Sequence, residues 1–136
     1  MREKLIHAVL KARENAYAPY SHYQVGAALL TEDGEIVTGC NVENASYGAA
    51  CCAERTAVFK AVSEGKKRFR AIAIAGGMEG REPEDYAYPC GICRQVLSEF
   101  AGKDDFSVIV VKSTEDYKEY QLSELLPWSF GGDSIK

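Results

Sequence analysis

The stretch Ala50-Cys51-Cys52-Ala53-Glu54-Arg55-Thr56-Ala57-Val58, ACCAERTAV, poses the problem from which fold and site both follow. Its spacing predicts a helix over 52–64 that Gly65 closes, with an apolar stripe through Val58, Ala61 and Val62. Four residues back from Val58 that stripe lands on Glu54. A carboxylate on the buried face of a helix is costly to desolvate, so Glu54 needs either a partner or a task.

Working outward, Tyr23–Leu30 and Glu35–Val42 read as strands around the turn TEDG. Arg2–Ala16 reads as a helix with Leu5, Ile6, Val9, Leu10 and Arg13 at helical spacing. Asn44–Ala50 is a loop. Downstream, Arg70–Ala75 is a buried strand, and Gly76–Tyr88 a polar loop long enough to suggest function. Cys90–Ala101 is a third helix closed by Gly102, and Phe106–Val111 and Tyr117–Leu122 are strands with a short connection, hence antiparallel neighbours. SELLP makes a last helical turn. Strand, helix, strand, helix, strand through the middle implies parallel crossovers, with the opening hairpin as an antiparallel edge. The expected fold class is α/β: one domain over residues 1–136, three-layer α/β/α, with one mixed five-stranded sheet and helices on both faces.

A chain of 136 residues can bury a sizeable core without disulfides. Its net charge of −4 gives no footing for nucleic acid or an anionic membrane surface. The N-terminal segment is amphipathic rather than a signal peptide, and no apolar run is long enough to span a bilayer. Five cysteines, an odd number without a secretion signal, point to a reduced, cytoplasmic protein whose thiols bind metal or react.

The second cysteine cluster is YPCGICRQVLSEFAG. Cys93, Val96, Leu97, Phe100 and Ala101 form one stripe, and Cys90 lies a turn back on the same face. Taken alone, the C-x-x-C is a redox pair, a metal site or a coincidence. Taken with ACCAERTAV, it puts thiols at the N-termini of two helices that each follow a parallel strand, at the carboxyl edge of the sheet. Helix N-termini favour thiolates. Three thiolates suit zinc and leave one tetrahedral position for water, which is the pattern of a catalytic site. Glu54 is then buried because it faces that water, where it can accept a proton and return it. The plainer alternative is an ion pair of Glu54 with Arg55 or another base. Spacing leaves open whether Cys51 or Cys52 is the ligand. Three thiolates and a dication sum to −1, and Arg55 is the cation that offsets it.

C-x-E followed by P-C-x-x-C is the signature of zinc nucleobase deaminases, with Cys52 in the place usually held by histidine. Together with NVENASYG, CAERTA, PCGICRQVLSEF and ELLPWSF, it makes the chain resemble the small all-cysteine cytidine deaminases, from AYAPYSHYQVGAALL to LLPWSF. The resemblance implies Cys52, Cys90 and Cys93 as ligands of one Zn2+ per subunit and Glu54 as proton shuttle. It implies Asn41 and Glu43 as ligands of the ribose hydroxyls and Ala53 as the backbone N–H on the base carbonyl. Tyr23 matches an aromatic, usually Phe, beside the nucleoside, and Tyr47 a pocket tyrosine. Phe130 matches a C-terminal aromatic that packs on the base held by a neighbouring subunit. The implied protein is a cytoplasmic homotetramer that deaminates cytidine and deoxycytidine in pyrimidine salvage, with pockets completed across subunits. Two residues depart from the pattern: Tyr23 adds a hydroxyl, and Tyr88 replaces a small residue before Pro-Cys.

Other readings stand beside these. On spacing alone Asn41 and Glu43 could be turn polars, and Tyr23 and Phe130 core aromatics. Cys40 reads as packing, and neither His7 nor His22 has metal-ligand spacing. The rival functions are a deaminase of another cytosine nucleoside such as blasticidin S, a zinc module with Cys40 or Cys51 as fourth ligand, and a thiol redox protein.

Overall fold

The computed structural model describes residues 1–101 and 106–135, so the expected helix stop at Gly102 lies outside the described residues. The elements are α1 (Arg2–Ala12), β1 (Tyr23–Thr31), β2 (Ile36–Cys40), α2 (Ala53–Ser63), β3 (Phe69–Met78), α3 (Gly91–Phe100), β4 (Ser107–Val111), β5 (Tyr117–Gln121) and α4 (Leu122–Leu125). The first helix is shorter than expected, because a 3-10 turn takes over at Arg13–Asn15.

One five-stranded sheet runs in the order β2-β1-β3-β4-β5. The mixed sheet is as expected, and so is the hairpin as its antiparallel edge, with β2 outermost. β1 lies inside the sheet, antiparallel to both β2 and β3, and only β3 and β4 are parallel neighbours. The reason is the composition of β1: Ala27 and Leu29 are buried on one face, Ala28 and Leu30 on the other, and a strand buried on both faces belongs in the interior. β3 also runs on to Met78, into the expected loop, because β1 offers it a ladder as far as Tyr23 opposite Met78. β5 pairs antiparallel with β4, as expected.

Since β1 opposes both β2 and β3, these two strands and β4 all point the same way. α2 follows β2 and α3 follows β3, so both helices begin at the same edge of the sheet. The core splits by face. Ala27, Leu29, Ile72, Ile74 and Val108 meet Ala57, Val58 and Ala61 of α2 and Leu97 of α3. Leu5, Ile6 and Val9 of α1 cover Ala28, Leu30, Ala73 and Ile109 on the other face. This is the three-layer arrangement. Gly39 sets the depth of α2: a Cβ there would stand 2.5 Å from the Ala57 nitrogen and 2.7 Å from the Ala53 oxygen. Only glycine lets the helix lie backbone to backbone on β2.

Candidate active site

The first turns of α2 and α3 meet at that sheet edge. Cys52 and Cys90 are the N-cap residues of the two helices, and Cys93 lies one turn into α3. The three Sγ atoms all lie within 4.8 Å of one another. Cys52 Sγ and Cys90 Sγ are 4.0 Å apart, close to the ~3.8 Å edge of a tetrahedron with zinc–sulfur arms of ~2.3 Å. Cys51 is turned elsewhere: its backbone bridges to Val42, and neither its thiol nor that of Cys40 joins the cluster.

Arg55 donates from Nη2 to Cys52 Sγ at 3.4 Å, and its Nε is buried without a hydrogen-bond partner. Hydrogen bonding to Cys52 raises the guanidinium above its usual range. Charge among the thiols settles first on Cys52, lowered to about 5 by hydrogen bonding from Cys93 and also from Arg55. That bond with Cys52 raises Cys93 in turn, and burial adds to it. Three clustered thiols, one of them poised as a thiolate under a guanidinium, are the donor set a zinc ion takes. The residues present fit the metal.

Glu54 is only 4% exposed. Among the described residues it forms no ion pair, and Arg55 is engaged by sulfur instead. Burial pushes the Glu54 carboxyl up to about 7, and the Cys52 charge acts in the same direction. Ala53 is the first residue of α2 and fully buried. Its N–H falls among those that the helix ladder leaves free.

The remaining candidates lie around this centre in separate groups. Asn41 closes the start of β1, accepting from the Val25 N–H at 2.9 Å and donating Nδ2 to the Tyr23 carbonyl at 2.9 Å. Glu43 accepts from the N–H groups of Tyr20 (3.0 Å) and Ser21 (3.1 Å) and from the Ser21 hydroxyl (2.5 Å). The Ser21 bond holds its carboxyl below the usual range. Glu43 and Tyr47 line one cavity of about 400 Å³ with Tyr20, Ser21, Asn44 and Ala50. Tyr23 lies in another, of about 90 Å³, against Gly76 and Gly77. The three thiols line neither. A larger cavity, about 510 Å³, lies under the C-terminal tail by Trp128 and away from the thiols. Tyr47 is 83% and Phe130 59% exposed, so a single chain does not bury either against the thiol cluster. The Phe130 carbonyl accepts from Gln95 Nε2 at 2.8 Å.

Sequence reading missed Ser21, the residue that fixes Glu43. Its signal was a small hydroxyl residue in PYSHY, ahead of a strand, but its partner is 22 positions away. It also missed Arg94, which donates to the Pro89 carbonyl (2.7 Å) and the Leu125 carbonyl (2.7 Å) and so anchors the turn before Cys90. His22 is a locally bonded loop residue, with Nδ1 3.5 Å from Glu79 and backbone φ of 59°.

A three-layer α/β/α fold with three thiols at paired helix N-termini and a buried, unpaired glutamate two residues past the first defines a class: a hydrolase of the zinc-dependent deaminase type. The family model described as "Cytidine and deoxycytidylate deaminase zinc-binding region" matches residues 1–110. A cytidine deaminase of Sporosarcina psychrophila is 47% identical over 133 residues, 98% of this chain and 93% of that one. The cytidine deaminase of Halalkalibacterium halodurans is 46% identical, covering 98% and 97%. The crystal structure of cytidine deaminase from Burkholderia pseudomallei superposes with a TM-score of 0.85 at 46% identity, covering 96% of this chain and 99% of that one. The chain belongs to the zinc-dependent cytidine deaminase family.

Proposed function

We propose that the chain hydrolyses cytidine and deoxycytidine to uridine and deoxyuridine with release of ammonia, as a cytoplasmic enzyme of pyrimidine salvage. In this reading residues 1–136 act as one domain, and four copies complete one another's pockets. The observation that carries it is the pairing of a three-thiol cluster with a buried carboxyl that has no base to neutralise it.

Cys52, Cys90 and Cys93 would hold the zinc ion, with Arg55 offsetting the excess negative charge. Bound zinc acts as a Lewis acid that makes water a nucleophile near neutral pH. Glu54 takes the proton from the attacking water as its oxygen adds to carbon 4 of the cytosine, and delivers that proton to ring nitrogen 3. It then passes the second proton to the departing amino group. Water and cytidine go in, and uridine and ammonia come out. A carboxyl near 7 suits both steps, since it is neither too weak a base nor too weak an acid at neutral pH.

The Ala53 N–H orients the base through its carbonyl. Asn41 and Glu43 receive the ribose hydroxyls, and Ser21 holds Glu43 ready for them. Tyr23 and Tyr47 flank the nucleoside, and Phe130 reaches the base bound by a neighbouring subunit. The outward placement of Tyr47 and Phe130 supports a pocket shared between chains. A closed zinc module is disfavoured, because neither Cys40 nor Cys51 offers a fourth thiol. Among the described residues no helix is long and apolar enough to cross a membrane.

The test is an absorbance assay of cytidine conversion with zinc analysis on the same sample. Turnover with about one zinc per chain is expected. Zinc without turnover on any cytosine nucleoside would refute the enzymatic reading.

A further inference from the structure

The ligand Cys90 follows the long connection 79–90 between β3 and α3, which has no ladder of its own. Such a segment samples many backbone states unless side chains restrain it. Its last part crosses the α2/α3 face of the sheet toward β5. There the Tyr88 hydroxyl meets the Tyr120 hydroxyl at 2.9 Å. The two rings stand 5.7 Å apart, tilted by 60°. Tyr88 is two residues before Cys90, with only the fully buried Pro89 between. Two residues upstream, the Tyr86 hydroxyl donates to Asp116, and Lys112 and Lys118 lie 5.2 and 4.7 Å from its ring.

We propose that Tyr88 and Tyr120 are a positioning pair for Cys90. Their bond ties the ligand turn to β5, and β5 is itself locked to β4. Pro89 transmits the constraint, because its ring removes one backbone rotation between the tyrosine and the ligand. Arg94 grips the same turn from the opposite side, through the Pro89 carbonyl. Cys90 Sγ is thus held at its distance from Cys52 before any metal arrives, so the site loses less freedom on binding the ion and releases it more slowly. Tyr88, which departs from the small residue expected there, has its hydroxyl on the sheet edge rather than in either cavity lined by the substrate candidates.

The proposal rests on Cys90 being a zinc ligand. Zinc-loaded protein is mixed with excess chromogenic chelator, and metal release is followed optically. Tyr88→Phe and Tyr120→Phe each keep the ring and lose the bond. Each should release zinc about 2- to 12-fold faster than the parent. The double variant should be no faster than either single one, because one bond is lost in all three. At a fixed excess of zinc the urea midpoint should fall only as far as the faster release accounts for by linkage, whereas a purely structural role would lower it with release unchanged. Unchanged release in both single variants, additive effects in the double, or a midpoint that falls further than the change in release accounts for would overturn the pair. Cys90→Ser separates this from the underlying assignment. Full zinc content in that variant removes Cys90 from the ligand set and with it the proposal. Zinc lost there, with normal release from the tyrosine variants, overturns the pair alone.

Discussion

The first turns of α2 and α3 carry the same opening and divide the labour after it. Each begins with an N-cap cysteine of the thiol cluster. One residue on, α2 has the buried Ala53 and α3 the open Gly91, where a Cβ would meet nothing within 4 Å. Two residues on, α2 has the buried Glu54 and α3 the exposed Ile92. Three residues on, Arg55 donates to sulfur where Cys93 supplies one. The supports differ as well. α2 is seated by backbone contact on Gly39, whereas the turn before α3 is tied down by the side chains of Tyr88 and Arg94. The two helices thus open alike on a cysteine, and the next three residues set a buried carboxyl beside one and a second thiol beside the other.

The sharpest way to break this contrast is at the second position. Glu54→Gln should keep zinc and fold yet lose about 100- to 10,000-fold in turnover. Ile92→Ala should leave turnover within about twofold, since an exposed side chain away from special features contributes little. Steady-state rates with zinc analysis decide it, and a Glu54→Gln variant of near-normal activity would end the catalytic role.

Next in size are the glycines. Gly39→Ala forces a Cβ into the α2 backbone and should destabilise by about 1–3 kcal/mol or more, lowering zinc content with it. Gly91→Ala should be neutral or stabilising by up to about 1 kcal/mol. Urea unfolding at fixed zinc compares them, and equal midpoints would remove the distinction between the two kinds of support. Within the same stretch, Cys52→Ala should lose zinc and Cys51→Ala keep it; metal content is the readout.

The smallest effect concerns the far end of α2. Lys66, just past that helix, bonds Asp33 of the hairpin turn at 2.5 Å. That bond, helped by one from Thr31, lowers the Asp33 carboxyl to about 2 from its ordinary 3.8. A depressed carboxyl means that the unfolded chain binds the proton more readily. The contribution is therefore complete above about pH 4 and fades as pH falls through about 2. Lys66→Met should flatten that acid-side slope slightly, as an exposed pair allows. An unaltered profile of melting temperature between pH 2 and 5 would show that the pair is idle.

The range of each interaction decided whether it was legible in the sequence. Helix stripes and thiol spacing are local, so α2, α3 and the Cys90–Cys93 pair were legible. Strand order is not local. The apolar run Val25–Leu30 carries the sign of a strand buried on both faces, which fits β1 as the inner strand of the edge hairpin. The end of β3 at Met78 was hidden because only its partner Tyr23 makes those residues a strand. Ser21 with Glu43, and Tyr88 with Tyr120, were out of reach because each pair joins residues 22 and 32 positions apart.

Arg13 has a consequence for how the molecule breathes. This buried residue at the end of the first helix donates to the carbonyls of Gln24 (3.3 Å), Met78 (3.2 Å) and Arg81 (2.9 Å). The connection to Cys90 therefore cannot lift at its root without stranding a guanidinium among unpaired carbonyls. Local opening of that connection and fraying of the first helix are one cooperative event. The amides of residues 76–81 should exchange with solvent deuterium at the pace of those around Val9–Arg13, although Arg13 and Arg81 stand 68 positions apart in the chain.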